Sequence, residues 1–186
     1  MTDDLTRLFR TAAADADRVI AGVTPDQFGA ATPCDGWSVH DLLNHVVGGN
    51  KFFLARATGT PGPSREEDFI GDDPLGAFRA SVAELADAFD QDGFLARTVS
   101  TPFGEGPGAV LVTMRINEYL LHSWDLAVAT GQHRDFDPEV VAAAEKTMRG
   151  RPIPRGGGLF GEEQPAPEGA SAVDALAAYL GRRVPS

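Results

Sequence analysis

Apolar residues recur at helical spacing in four long stretches of the chain, and residues that cap or stop helices bound each stretch. Proline and glycine clusters separate the stretches, as expected of surface connections. The last of the four is apolar on more than one side, which is typical of the most buried helix in a bundle. The four predicted helices cover residues 2–22, 38–58, 73–93 and 107–130.

Two shorter helices are predicted after the fourth. One follows Asp137 and extends to about Met148, and the other is capped by Ser171 and ends at Gly181. Residues 94–108 are rich in glycine and proline and are interpreted as an irregular connection. The pattern therefore predicts an all-α fold, a four-helix bundle with short additional C-terminal helices, in which residues 1–186 form a single domain.

The fourth predicted helix carries one polar stripe on a largely apolar surface. Arg115, Glu118, His122 and Asp125 are spaced three or four residues apart, so they lie along one face. A carboxylate and an imidazole one turn apart, such as Glu118 and His122, can bind one metal ion if a third ligand comes from elsewhere. His45, among apolar residues of the second helix, is the best candidate for that ligand. The alternative is that His45 is an ordinary core histidine.

Charge and composition narrow the range of partners. The chain of 186 residues has a net charge of −11, which argues against nucleic-acid binding. No apolar run reaches the roughly 18 to 20 residues that span a bilayer, and the acidic N-terminus lacks a signal core. Cys34 is the only cysteine, so an intrachain disulfide is excluded. We therefore expect a cytoplasmic protein without a membrane or nucleic-acid partner; dimerisation through a bundle surface stays open.

Cys34 and the two tryptophans have more than one interpretation. Cys34 precedes the helix start, where the helix dipole would favour a thiolate, although a small apolar loop residue is the preferred interpretation. Trp37 and Trp124 are expected to belong to the core rather than to a substrate platform.

Two segments resemble the signatures of a known family. Residues 32–48 contain Thr-Pro-Cys-Asp-Gly-Trp-Ser and end in Asn-His-Val-Val-Gly, and residues 118–131 run from Glu118 through Trp-Asp-Leu-Ala to Thr-Gly. Both are similar to the metal-binding domain of mycothiol-dependent maleylpyruvate isomerases, a family of DinB-like four-helix bundles. The tail at residues 175–182 is similar to the end of short, single-domain members.

The resemblance implies a set of metal ligands. Members bind a divalent ion through one histidine of the second helix and a Glu-x-x-x-His pair of a later helix, which become His45, Glu118 and His122. Zinc is the expected ion, and nickel, iron or manganese would also suit two histidines and a carboxylate.

Three further polar residues are candidates for supporting or substrate-binding roles. Asp41 and Asp125 are each about one turn from a predicted histidine ligand and could orient it; the alternative for both is a solvent-facing carboxylate. Arg115 could anchor an anionic substrate or pair with Glu118. No catalytic residue can be assigned from the sequence.

The family's chemistry implies a metal-dependent thiol transferase-like or isomerase-like enzyme, with mycothiol as cosubstrate and a small molecule or low-molecular-weight thiol as partner. The established isomerases carry a further C-terminal domain that contributes to the active site, and this chain ends at residue 186. We therefore expect related thiol chemistry rather than maleylpyruvate isomerisation itself. The alternatives are a metal-dependent hydrolase and a non-catalytic metal-binding or sensing protein.

Overall fold

The computed structural model describes residues 2–64, 66–150, 152–153, 155 and 160–185. These residues form six α-helices, one β-hairpin and two short 3-10 turns at Pro25–Gln27 and Phe94–Ala96. In chain order the helices and strands are α1 (Thr2–Ala21), α2 (Val39–Thr58), α3 (Pro74–Phe89), β1 (Thr98–Thr101), β2 (Gly104–Pro107), α4 (Ala109–Thr130), α5 (Pro138–Arg149) and α6 (Ala172–Tyr179).

The first four helices form a four-helix bundle. Helix α1 packs against α3 and α4, and α2 packs against the same two helices. Helices α5 and α6 pack against α4 and extend the bundle on one side. This arrangement confirms the predicted all-α fold with short C-terminal additions. It also makes α2 and α4 neighbours, which is the condition for His45 to approach His122.

The start and the end of α2 follow from local chemistry. The Ser38 hydroxyl accepts a hydrogen bond from the Asp41 amide at 3.2 Å, and the Asp41 carboxylate accepts one from the Ser38 amide at 2.9 Å. This reciprocal capping box satisfies amide groups that the first turn would leave unpaired. Gly59 ends the helix at a φ of +73°, a left-handed conformation that glycine adopts without steric cost.

Aromatic side chains fill the space around α4. Phe9 packs edge-on against Phe89 with ring centroids 5.1 Å apart, and Phe78 packs edge-on against Tyr119 at 5.7 Å. Trp124 is fully buried. Each such side chain stabilises the fold by about 1.5–3 kcal/mol through loss of apolar surface to water. Helix α4 is therefore held on several sides, as its apolar pattern predicts.

The connection between α3 and α4 differs from its prediction. Within residues 94–108, strands β1 and β2 pair antiparallel, with Thr98 opposite Pro107 and Thr101 opposite Gly104. The Thr101 hydroxyl donates to the Gly104 carbonyl at 2.7 Å and closes the turn. The prediction of an irregular connection was wrong here because glycine and proline at the turn and in β2 hid the β-branched residues of β1.

None of the helices in the described part of the chain combines the length and apolar composition that a membrane crossing needs.

Candidate metal centre

The candidate site begins where α2 and α4 face each other. The imidazole rings of His45 and His122 lie with their centroids 5.0 Å apart and meet edge to face. Both histidines are half-buried, and the His122 side chain is 14% exposed. Two imidazoles from neighbouring helices are thus brought together at the edge of the core, close enough to share one small ligand.

Trp37 covers this pair of histidines. Its ring centroid is 4.7 Å from that of His45 and 6.5 Å from that of His122. The loop before α2 holds Trp37 in place, because the Trp37 amide donates to the Cys34 carbonyl at 3.0 Å and its carbonyl accepts from Thr32. With 36% of its surface exposed, Trp37 forms a wall of the site. The expected core position is confirmed for Trp124 and was wrong for Trp37, which precedes the helix and lies outside the bundle.

Glu118 lies one turn before His122 on α4. Its side chain is 31% exposed, and it forms an ion pair with the Nη1 atom of Arg115. The Nη2 atom of Arg115 donates to the Val46 carbonyl at 3.2 Å and to the Asn50 side-chain oxygen at 2.7 Å. The guanidinium is therefore fastened to α2, on the inner side of Glu118.

Arg115 itself is almost completely buried, at 1% exposure. Its guanidinium lies 4.5 Å from the Tyr119 ring centroid, and a Cβ atom on Gly49 would come within 2.6 Å of its Nη1 atom. Its Nε atom is buried without a hydrogen-bond partner among the described residues. Of the two roles predicted for Arg115, the geometry corresponds to pairing with Glu118, and a role in anchoring substrate stays a prediction.

Asp125 is the hydrogen-bond partner of the His122 ring. Its carboxylate is fully buried, and its Oδ2 atom lies 3.2 Å from the Nδ1 atom of His122. Burial alone would raise the pKa of Asp125, but the hydrogen bond from His122 and the nearby Arg182 outweigh burial and lower it. An ionised carboxylate can only accept, so Nδ1 of His122 carries the proton and Nε2 is the nitrogen available to a ligand.

Two further residues reach the Asp125 carboxylate. Arg182 donates from Nε to Oδ1 at 3.2 Å and from Nη2 to Oδ2 at 3.1 Å, and the Cys34 thiol lies 3.3 Å from Oδ2. Burial and the negative charge of Asp125 raise the pKa of Cys34 to about 12. The thiol is therefore protonated at neutral pH and donates to Asp125, in contrast to the thiolate that the helix dipole alone would favour.

Asp41 occupies a different position from Asp125. It is exposed and engaged in the capping box, where the hydrogen bonds from the Ser38 hydroxyl and amide lower its pKa. Its proposed influence on His45 stays a prediction. The two remaining histidines, His40 and His133, are both exposed.

Two sets of donor atoms share His122. The predicted set is His45, Glu118 and His122. In the described part of the chain, the three ligand-type atoms that lie within 4.8 Å of one another belong instead to Cys34, His122 and Asp125; the predicted set does not form such a group. Arg182 and Cys34 were both missed as neighbours of this site, because 57 and 91 residues separate them from Asp125 and no local pattern signals such contacts.

The helices define the class of protein as a four-helix bundle, and two imidazoles meet where α2 and α4 face each other. Residues 9–127 match the model of the mycothiol maleylpyruvate isomerase N-terminal domain, and the chain belongs to that family. The sequence resemblance is thereby confirmed.

Relatives of known sequence and structure are consistent with this assignment. Two uncharacterized proteins of Mycobacterium tuberculosis, Rv0738 of strain H37Rv and MT0763 of strain CDC 1551, are each 37% identical over 171 residues, which is 89% of this chain and 91% of theirs. The crystal structure of the mycothiol-dependent maleylpyruvate isomerase is similar in fold, with a TM-score of 0.60 and 21% identity over 77% of this chain and 67% of that one. A mutant of that enzyme gives a TM-score of 0.61 and 20% identity.

Proposed function

We propose that residues 1–186 form one metal-binding domain that holds a divalent ion through His45, Glu118 and His122 and uses it in thiol chemistry. The observation that carries the proposal is the meeting of His45 and His122, whose ring centroids lie 5.0 Å apart across two helices. Glu118 is one turn from His122 on the same helix and is partly exposed. Two imidazoles and a carboxylate are the donor set of a catalytic zinc site.

The alternative set of Cys34, His122 and Asp125 fits an ion less well. Arg182 donates to both oxygens of Asp125, and His122 approaches the same carboxylate. A metal ion at that place would have to compete with the Arg182 guanidinium for both oxygens at 0% exposure. The Glu118 carboxylate is more accessible. To bind an ion, it would either turn away from Arg115 or contact the ion and Arg115 together.

The surrounding residues each have a defined part in this proposal. Asp125 fixes His122 in the tautomer that presents Nε2, as carboxylates commonly do for metal-ligating histidines. Trp37 shields one side of the paired imidazoles and supplies an apolar wall for a bound molecule. Arg115 pairs with Glu118 and compensates its charge before an ion binds.

A divalent ion held by three protein ligands would lower the pKa of a coordinated thiol or water and so supply a nucleophile at neutral pH. A thiol is the preferred nucleophile because the structural relatives are mycothiol-dependent isomerases. We accordingly place the protein in the cytoplasm, with mycothiol as cosubstrate and a small electrophilic molecule as substrate. Zinc is the proposed ion.

Metal analysis of untagged protein tests the ligand set. We expect about one zinc ion per chain in the wild type and a marked loss in the His45→Ala and Glu118→Ala variants. Cys34→Ala is the matched control, because it removes a donor of the alternative set only. Loss of metal from Cys34→Ala with retention in His45→Ala would show that the alternative set is the site.

A zinc-free wild type that takes up no zinc on reconstitution would contradict the proposal altogether. Circular dichroism of each variant must show that the helices remain, since a histidine at the edge of the core also contributes to packing.

The reaction is tested by incubating the zinc-loaded protein with mycothiol and a panel of electrophiles that includes maleylpyruvate. Metal-dependent loss of free thiol or conversion of the electrophile supports thiol transfer or isomerisation. Hydrolysis of ester or amide substrates without mycothiol would instead support the hydrolase alternative. Metal binding with neither activity would favour a metal-binding or sensing protein.

A further inference from the structure

The Asp125 carboxylate is buried as a charge, and burying a charge requires compensation. With 0% exposure, it receives hydrogen bonds from His122, Cys34 and Arg182. Of these three groups, Arg182 carries a permanent positive charge, and it alone approaches both carboxylate oxygens. A forked contact of this kind fixes the plane of the carboxylate as well as its position.

Arg182 is itself held in place by the segment that follows α6. Its amide donates to the Ala177 carbonyl at 2.9 Å, and its side chain is 10% exposed. The preceding residue, Gly181, has a φ of +96°, and a Cβ atom there would come within 2.6 Å of Gly161. Only glycine fits this close backbone approach, so the backbone delivers Arg182 to Asp125 in a defined direction.

Helix α6 is fastened to α4 by a second contact. Asp174 of α6 accepts a hydrogen bond from the indole nitrogen of Trp124 at 2.7 Å, and Trp124 immediately precedes Asp125 in the chain. Arg134 also donates to Asp174, at 2.8 Å. The C-terminal segment is therefore attached to α4 independently of Arg182, and removal of the Arg182 side chain leaves that attachment intact.

We propose that Arg182 is a positioning residue for the metal centre: it fixes the Asp125 carboxylate, which in turn fixes the His122 ring with Nδ1 protonated and Nε2 presented to the ion. This inference rests on the proposed function, because it takes His122 as a ligand. Arg182 does not contact the ion or the substrate in this scheme. Its effect reaches the site entirely through the contact between Asp125 and His122.

The test compares Arg182→Ala and Arg182→Lys with Arg183→Ala, a matched control at the exposed neighbouring arginine. Zinc affinity is measured by titration against a competing chelator. We expect about 10–100-fold weaker binding for Arg182→Ala, the range typical when a residue supporting a metal ligand is lost. Arg182→Lys should lose less, because lysine keeps the charge but lacks the fork, and Arg183→Ala should bind as the wild type does.

The second measurement needs no metal. Nitrogen-15 NMR of the metal-free protein reports which ring nitrogen of His122 is protonated, and we expect the Nδ1 form in the wild type and a mixture in Arg182→Ala. Wild-type affinity together with the wild-type tautomer in both Arg182 variants would overturn the proposal. So would weaker affinity with an unchanged tautomer, because Arg182 would then act by charge or stability alone.

If Arg182→Ala does not fold, the lysine variant decides by the same two criteria. A wild-type protein that binds no zinc would overturn the proposed function, while the tautomer measurement would still test the positioning role.

Discussion

Two carboxylates of helix α4, one turn or less from His122 in either direction along the chain, each pair with an arginine, and the two pairs are built differently. Asp125 is fully buried, and both of its oxygens receive hydrogen bonds from Arg182. Glu118 is 31% exposed and pairs with a single nitrogen of Arg115, a residue of its own helix. In the Asp125 pair the carboxylate is enclosed; in the Glu118 pair the arginine is enclosed and the carboxylate reaches the surface.

The difference separates a fixed side of the site from an adjustable one. Asp125 has no free direction in which to move, so it suits the task of orienting His122. Glu118 reaches the surface and can turn to another partner, and the buried Arg115 would then retain Asn50 and the Val46 carbonyl as acceptors. A carboxylate that must accept an ion needs that freedom, whereas one that orients a ligand must lack it.

The largest expected effect comes from Asp125→Ala. The substitution leaves Arg182 buried without its carboxylate, and loss of one partner of a buried pair typically costs about 3–5 kcal/mol of unfolding free energy. Glu118→Ala is the comparison. It also leaves a buried arginine without its carboxylate, but Arg115 keeps Asn50 and the Val46 carbonyl as acceptors, so we expect a smaller loss of about 1–3 kcal/mol. Urea denaturation of the metal-free proteins measures both, and equal losses would remove the distinction between the two pairs.

The same comparison has a pH dependence. Because the folded-state pKa of Asp125 is lowered, its stabilising contribution is present above the unfolded-state pKa of about 4 and is lost as the pH falls through the folded value. The stability gap between the wild type and Asp125→Ala should therefore narrow in acid below about pH 4. A gap that stays constant down to the acid unfolding transition would contradict the lowered pKa.

A smaller effect is expected from Gly49→Ala, which tests the enclosure of Arg115. The added Cβ atom would lie 2.6 Å from Nη1 of Arg115, and overpacking of this kind costs about 1–3 kcal/mol, partly offset by about 1 kcal/mol of helix propensity. The matched control is Gly48→Ala, whose Cβ would meet the half-buried Phe69 ring at the same distance. Phe69 lies in a loop and can yield, so thermal unfolding should show the smaller loss for Gly48→Ala.

The smallest effect on stability is expected at Cys34, on the fixed side of the site, where the measurable quantity is the reactivity of the thiol. With its pKa raised to about 12, the thiolate fraction at about pH 8 is on the order of one in ten thousand. Alkylation by iodoacetamide in the folded protein should therefore be slower by orders of magnitude than in urea. Rapid alkylation of the folded protein would show that Asp125 and burial do not suppress the thiolate.

The sequence was sufficient where structure is set by neighbouring residues. The helix starts, the Ser38–Asp41 capping box and the polar stripe of α4 all depend on spacings of a few residues, and all are observed to within two residues. The end of α3 was less well predicted, because the helix stops at Phe89, four residues before Gly93. The approach of His45 to His122 could also be predicted from the sequence. His45 lies among the apolar residues of α2, and that face of the helix packs against the rest of the bundle.

The features that escaped prediction depend on residues distant in the chain or on competing local signals. Nothing in the C-terminal segment marks Arg182 as the partner of Asp125, since that contact exists only after α6 docks on α4. Trp37 was assigned to the core, yet it lies in the loop before α2 with 36% of its surface exposed. In the hairpin, the nearby glycine and proline residues masked the strand signal of β1, which is only four residues long.

The two tryptophans differ in a way that provides an optical signal. Trp124 is enclosed by the core, so its emission should be insensitive to added solutes, whereas Trp37 stands beside the imidazoles with 36% of its surface exposed. Collisional quenchers such as iodide would therefore report on Trp37 selectively. The native chain thus contains a spectroscopic reporter beside the candidate metal centre, and its fluorescence can be used to test for ligand binding there without an attached dye.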